Sequence, residues 1–182
     1  MARLVFSGSL EPERREALSA FAHDLLVSAA EKVGLERITV NSTIRPPRVQ
    51  AEAMYNNIAS GRYIRYREPG QKVTDLCVKM LGQSAPREET IDKMTALIEE
   101  LSEQGKRVSR HCVSAEEYAK CNIVDIARSM TYDQAIKLMR ILADTTEVQA
   151  IIQPITSQVK NEKISFDAAE PAIHIEINIP RV

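Results

Sequence analysis

The chain has no tryptophan, and its 182 residues include only three Phe and five Tyr. Any core it builds must therefore be aliphatic. Cysteine is scarce as well. Cys77, Cys112 and Cys121 are odd in number and follow no repeating spacing, which argues against a disulfide framework. Neither sign of charge is in excess: 24 Lys and Arg stand against 25 Asp and Glu, a net charge of −1. No global field then recruits nucleic acid or an anionic membrane. No run approaches the roughly 20 apolar residues of a membrane span. The opening Met-Ala-Arg-Leu-Val-Phe-Ser-Gly is too short and too soon charged for a secretory signal, so synthesis and folding in a cytoplasm are expected. No repeat or low-complexity tract is visible. What remains has the composition and length of one globular domain, residues 1–182.

Hydrophobic period divides the chain. Leu18, Phe21, Leu25, Ala29 and Val33 recur at helical spacing, with Ser9 able to cap and Gly34 able to stop, predicting a helix from about Pro12 to Val33. Residues 37–44 are β-rich and end at Pro46 and Pro47. Helices follow over about 49–59, 71–81 and 87–104, separated by Arg62–Arg67, which reads as a loop or short strand. Arg107–Val113 reads as a strand. Ser114-Ala-Glu-Glu117 is a capping box opening a short helix. Ile123–Ala127 is a further strand, and Thr131-Tyr-Asp-Gln134 opens a helix to about Ala143. In 147–158 the period suits a helix, whereas Pro154 and the β-branched residues disfavour one. Ile173, Ile175, Ile177 and Ile179 alternate with His174, Glu176 and Asn178, which is a strand with one apolar and one polar face. The expected class is α+β, with helices packed on a small, mainly antiparallel sheet.

Two of the three histidines fall on strand-like segments: His111 in Val-Ser-Arg-His-Cys and His174 in Glu-Pro-Ala-Ile-His. Asp125 lies between them in sequence. Two imidazoles and a carboxylate can hold zinc and leave a fourth position for water. The metal lowers that water's pKa to roughly 7, giving a nucleophile at neutral pH. On an unbroken terminal strand Glu170, Ala172, His174 and Glu176 share a face, so Glu170 could act as base beside the metal.

A fourth piece, Ser42-Thr-Ile-Arg45-Pro-Pro-Arg-Val-Gln50, gives these residues a family likeness. Together with Ser109-Arg-His111, Ile123-Val-Asp125 and Glu170-Pro-Ala-Ile-His174, in that order, it resembles the zinc D-alanyl-D-alanine peptidases, a group related to lysostaphin-type enzymes and to the hedgehog fold. The resemblance spans residues 42–176. It implies a hedgehog/DD-peptidase-like fold and zinc bound by His111, Asp125 and His174. It implies Glu170 as general base and Arg45 as the cation that steadies the substrate carbonyl or oxyanion, with Ser109 and Gln50 beside the substrate. The implied partner is a peptidoglycan stem peptide, cut by endopeptidase or carboxypeptidase action. Lacking a signal or wall-binding module, such an enzyme would be phage-encoded and endolysin-like, acting at the host envelope or in a virion. The chain departs from the pattern three times, the first being Ser114 where a glycine is expected three positions after His111, with no small residue two before Asp125. Asp125 follows His111 by 14 positions (125 − 111), further than in the family. Glu-Pro and His are separated by one extra residue, which a β-bulge would absorb unless Asp167 takes the base role.

Other readings compete. The same fold with a degenerate site would be a structural or binding protein. Cys112 could be a nucleophile served by His174, although a strand would turn it away from His111 and into the core. Cys112 and Cys121 could also join His111 around a structural zinc. His23, on the first helix, is placed at the surface. Arg62-Tyr-Ile-Arg-Tyr-Arg67 mixes cations with aromatics as single-strand-binding surfaces do, but one such run in a near-neutral chain is weak support for a nucleic-acid partner.

Overall fold

The structure is a computed structural model. It describes residues 1–182 except Tyr63, Arg65, Arg67, Lys160, Ala169, Arg181 and Val182. Three of these belong to the Arg62–Arg67 run, so that reading lies outside the described residues. The chain groups into two compact units, residues 1–44 with 115–182 and residues 45–114.

The first unit carries the sheet. Its strands are β1 (Arg3–Phe6), β2 (Arg37–Ser42), β3 (Cys121–Ile126), β4 (Val148–Gln153), β5 (Ile164–Phe166) and β6 (Ile173–Asn178). Their spatial order is β1-β2-β3-β6-β4-β5. The three central pairings are antiparallel and the two outer ones parallel, so the protein is α+β with a mixed sheet. The short strands β1 and β5 have no clear alternation and escape a reading by period. Residues 147–158, ambiguous by period, hold β4: the β-branched residues prevail, and Pro154 falls just outside the strand.

The expected helix over 12–33 is two helices, α1 (Pro12–Glu16) and α2 (Ala20–Lys32). Ser19 causes the break. Its side chain accepts the Ala22 N–H at 3.1 Å, capping α2, while its own N–H donates to the buried Asn122 Oδ1 at 2.9 Å. Gly34, at φ 72°, ends α2. A short helix α6 (Ala115–Lys120) precedes β3, and α7 (Tyr132–Ala143) starts at Thr131 with its capping box formed. Ala22, Leu26, Leu138, Met139 and Leu142 of α2 and α7 share one core with Ile38, Val40, Val124, Ile126, Ile173, Ile175 and Ile177 of the sheet. One sheet face thus meets aliphatic helices, as a chain without Trp requires.

The second unit is helical: α3 (Pro47–Ala59), α4 (Glu68–Gly82) and α5 (Arg87–Glu103). These three do not spread over a sheet as expected. Their apolar stripes face one another, Met54 and Ile58 meeting Val73, Cys77, Ile91, Met94 and Ile98 in a core of their own. The expected strand Arg107–Val113 is instead a bend and turn, closed by the Cys112 N–H donating to the Ser109 carbonyl at 3.2 Å.

Candidate metal centre

β6 is an inner strand, paired with β3 on one side and β4 on the other. Ile173, Ile175 and Ile177 point into the helix-covered core, so His174 and Glu176 emerge on the opposite face. Cross-strand pairing sets His174 directly against Asp125 of β3 and against Ile152 of β4. Asp125 shares this face because Val124 and Ile126 on either side of it are core residues.

A register shift extends the polar row by one strand. Val40 pairs with Ile126 and Ser42 with Asp125, so two steps on β2 match one on β3. This irregularity is a β-bulge. It turns Ser42 from the core face of Val40 to the face of Asp125. The row then reads Ser42, Asp125, His174, Ile152, with the first three side chains all buried. No reading by period reveals such a bulge.

Within this unit His174 is held from both sides. Its Nδ1 lies 3.0 Å from Asp125 Oδ1, and its Nε2 lies 3.3 Å from Glu176 Oε1. His174 is 2% exposed. Burial works against the imidazolium, but hydrogen bonds and charge from Asp125 and Glu176 outweigh it and raise the pKa to about 9. With no ion bound, the ring is a cation between two carboxylates at neutral pH.

Glu170 is placed differently from the expectation. β6 begins at Ile173, so strand parity does not extend to Glu170. A turn positions it instead, its N–H donating to the Asp167 carbonyl at 3.2 Å. The extra residue of Glu-Pro-Ala-Ile-His lies in the bend ahead of the strand, and β6 pairs with β3 in unbroken register, so no bulge in that pairing is required.

The second unit gathers Arg45, Gln50, Ser109 and His111. The Arg45 N–H donates to the His111 carbonyl at 2.9 Å, and Arg45 Nη1 donates to Gln50 Oε1 at 3.4 Å. The His111 N–H donates to Ser109 Oγ at 3.2 Å. Gln50 is buried at the start of α3, where Pro46 and Pro47 set the entry angle. These four residues, singled out from sequence, are thus linked by hydrogen bonds through a turn rather than along the strand expected there.

His111, Asp125 and His174 are all buried, and as a group they could hold a metal ion. The Asp125–His174 separation of 3.0 Å is close to the ~3.3 Å between two ligands at 2.0–2.1 Å on one tetrahedral ion.

Cys77, Cys112 and Cys121 form no disulfide. Cys112 is buried in the helical core, and burial pushes its thiol up to about 11, although the Arg45 charge opposes this. A thiol held so firmly protonated is a poor nucleophile at neutral pH. His23 is a surface residue, its side chain 45% exposed and 2.8 Å from the Asp24 carboxylate. No described helix is long and apolar enough to cross a membrane.

Comparison with protein-family models, curated proteins and solved structures gives no match.

Proposed function

We propose that His111, Asp125 and His174 hold one zinc ion and that the protein is a zinc-dependent peptidase of peptidoglycan stem peptides. The observation that carries the reading is the buried Asp125–His174 pair, its facing atoms 3.0 Å apart, which with the buried His111 makes a group that could hold a metal ion. The donor set supports zinc: two imidazoles with one carboxylate suit that ion, and three protein ligands are the number used where catalysis keeps a position open. The peptide substrate rests on the sequence resemblance.

When bound, the ion supplies Lewis acidity towards a water and a peptide carbonyl. Glu170 is the group we assign to take the proton from the attacking water and pass it to the leaving amine, with Asp167, its turn partner, as the substitute. Arg45 is assigned to the carbonyl oxygen: its charge persists at any working pH and opposes the developing oxyanion. Its link to Gln50 limits the freedom of the guanidinium. Ser109 keeps the turn of His111 in place through the backbone N–H, a supporting role beside the substrate contact the resemblance implies.

One observation favours a second reading. His174 already has a carboxylate on each nitrogen, so its charge is satisfied without metal. A structural or binding protein with a proton in place of zinc would look the same. Elemental analysis of the purified chain separates the two. The peptidase reading expects about one zinc per chain, and loss of both zinc and peptidoglycan cleavage in His174→Ala. A folded protein that takes up no zinc and cleaves no stem peptide establishes the second reading instead.

A further inference from the structure

We infer that Glu176 is the positioning residue of the metal centre: it accepts a hydrogen bond from Nε2–H of His174 and so reserves Nδ1 for the ion. The inference rests on the metal-binding reading above and adds to it which nitrogen binds and what holds it there.

The two nitrogens of His174 face different partners. Nδ1 faces Asp125, itself in the candidate ligand group, whereas Nε2 faces Glu176, which is outside that group. A neutral imidazole carries one proton, and a ligating nitrogen cannot keep it. If Nδ1 binds, the proton sits on Nε2, where Glu176 Oε1 accepts it at 3.3 Å. If Nε2 binds, the proton sits on Nδ1 and Asp125 Oδ1 accepts it, which leaves only the second carboxylate oxygen for the ion. The first arrangement leaves both Asp125 oxygens to the ion and gives the Nε2–H an acceptor in Glu176.

The strand makes this placement robust. Glu176 follows His174 by two residues and shares its face. Its cross-strand neighbours are Ile123 and Ala150. The Glu176 side chain is 15% exposed, so water weakens the bond to the ring only in part. A carboxylate behind a metal-bound histidine orients the ring and makes it more basic, and removing such a partner usually costs about 10- to 100-fold in metal affinity.

Two measurements on the full chain test this. Zinc affinity, read by competition with a chromophoric chelator, should fall about 10- to 100-fold in Glu176→Gln. Nitrogen-15 spectra of the imidazoles in the zinc-loaded wild type should show His174 protonated on Nε2 and metal-bound through Nδ1. This second experiment needs no variant and stands even if Glu176→Gln does not fold. Equal affinities, or a zinc-loaded His174 protonated on Nδ1, overturn the inference while leaving the metal site intact. A wild-type chain that binds no zinc removes both.

Discussion

The charged state of His174 predicts how the metal-free protein responds to pH. In the folded chain its pKa is raised from 6.5 to about 9. The imidazolium therefore favours the folded state. Its contribution is complete below pH 6.5, where the ring is charged in both states, and is lost as pH rises through about 9. At 1.36 kcal/mol per pH unit the gap is worth about 3 kcal/mol. Burial of the ring to 2% exposure keeps solvent from screening away most of this.

The assay is urea unfolding followed by circular dichroism in chelator at pH 6, 7.5 and 9.5. His174→Gln serves as the reference, so that other titrating groups cancel. Cys77 and Cys112, whose buried thiols are pushed up, titrate in both proteins and drop out of the difference. Wild type should exceed the variant by a margin that shrinks by about 3 kcal/mol across this range. Zinc should act in the opposite sense. It needs the neutral ring, so its apparent affinity should rise roughly tenfold per pH unit up to about pH 9. Parallel pH profiles for wild type and His174→Gln would show that the ring is not charged in the fold, and the reasoning would fail.

Two further outcomes follow from the helical unit. Gly70→Ala, in the first turn of α4, should destabilise the protein by about 1–3 kcal/mol in urea unfolding, although Ala is ordinarily the better helix former. A Cβ there would lie 2.7 Å from Tyr66 Cβ and 2.9 Å from the Val108 carbonyl oxygen, neither of which is a flexible side-chain tip. Cys112 should react with iodoacetamide at pH 7.5 far more slowly than Cys121, as read by mass spectrometry of labelled peptides. A thiol at about 11 holds roughly 100-fold less thiolate than one at its ordinary 9, and Cys112 is only 9% exposed.

What could be read from sequence depended on whether a signal was local. The alternation of Ile173, Ile175 and Ile177 fixes the face of His174 because period 2 is a property of the strand itself. The capping box at Thr131 and the apolar stripes of α3, α4 and α5 are local in the same way. Burial of His174 is not local. An alternating strand reads as one face solvated, yet His174 on the polar face of β6 is buried, while Asn178 further along that face is exposed. The segment around His111 misled for a related reason. Val108, Cys112 and Val113 look like a half-buried strand, but Val108 and Cys112 pack on the helical core from a turn. The break at Ser19 was hidden because its partner, Asn122, lies 103 residues away.

The same long-range geometry explains why a plain row of sheet positions is chemically distinctive. Ser42, Asp125 and His174 come from three strands and become neighbours only through strand order and one bulge. Burying such polar groups costs free energy unless each is paired. Here the charge on His174 is balanced by Asp125 and Glu176, so the metal-free sheet is stable with a proton where a cation could sit. On the proposed reading, a metal ion entering this row would displace that proton from Nδ1 and leave the carboxylates in place. Occupancy should then follow a contest between one proton and one divalent ion for the same nitrogen. That contest makes pH, more than any single substitution, the variable that exposes what this row of residues binds.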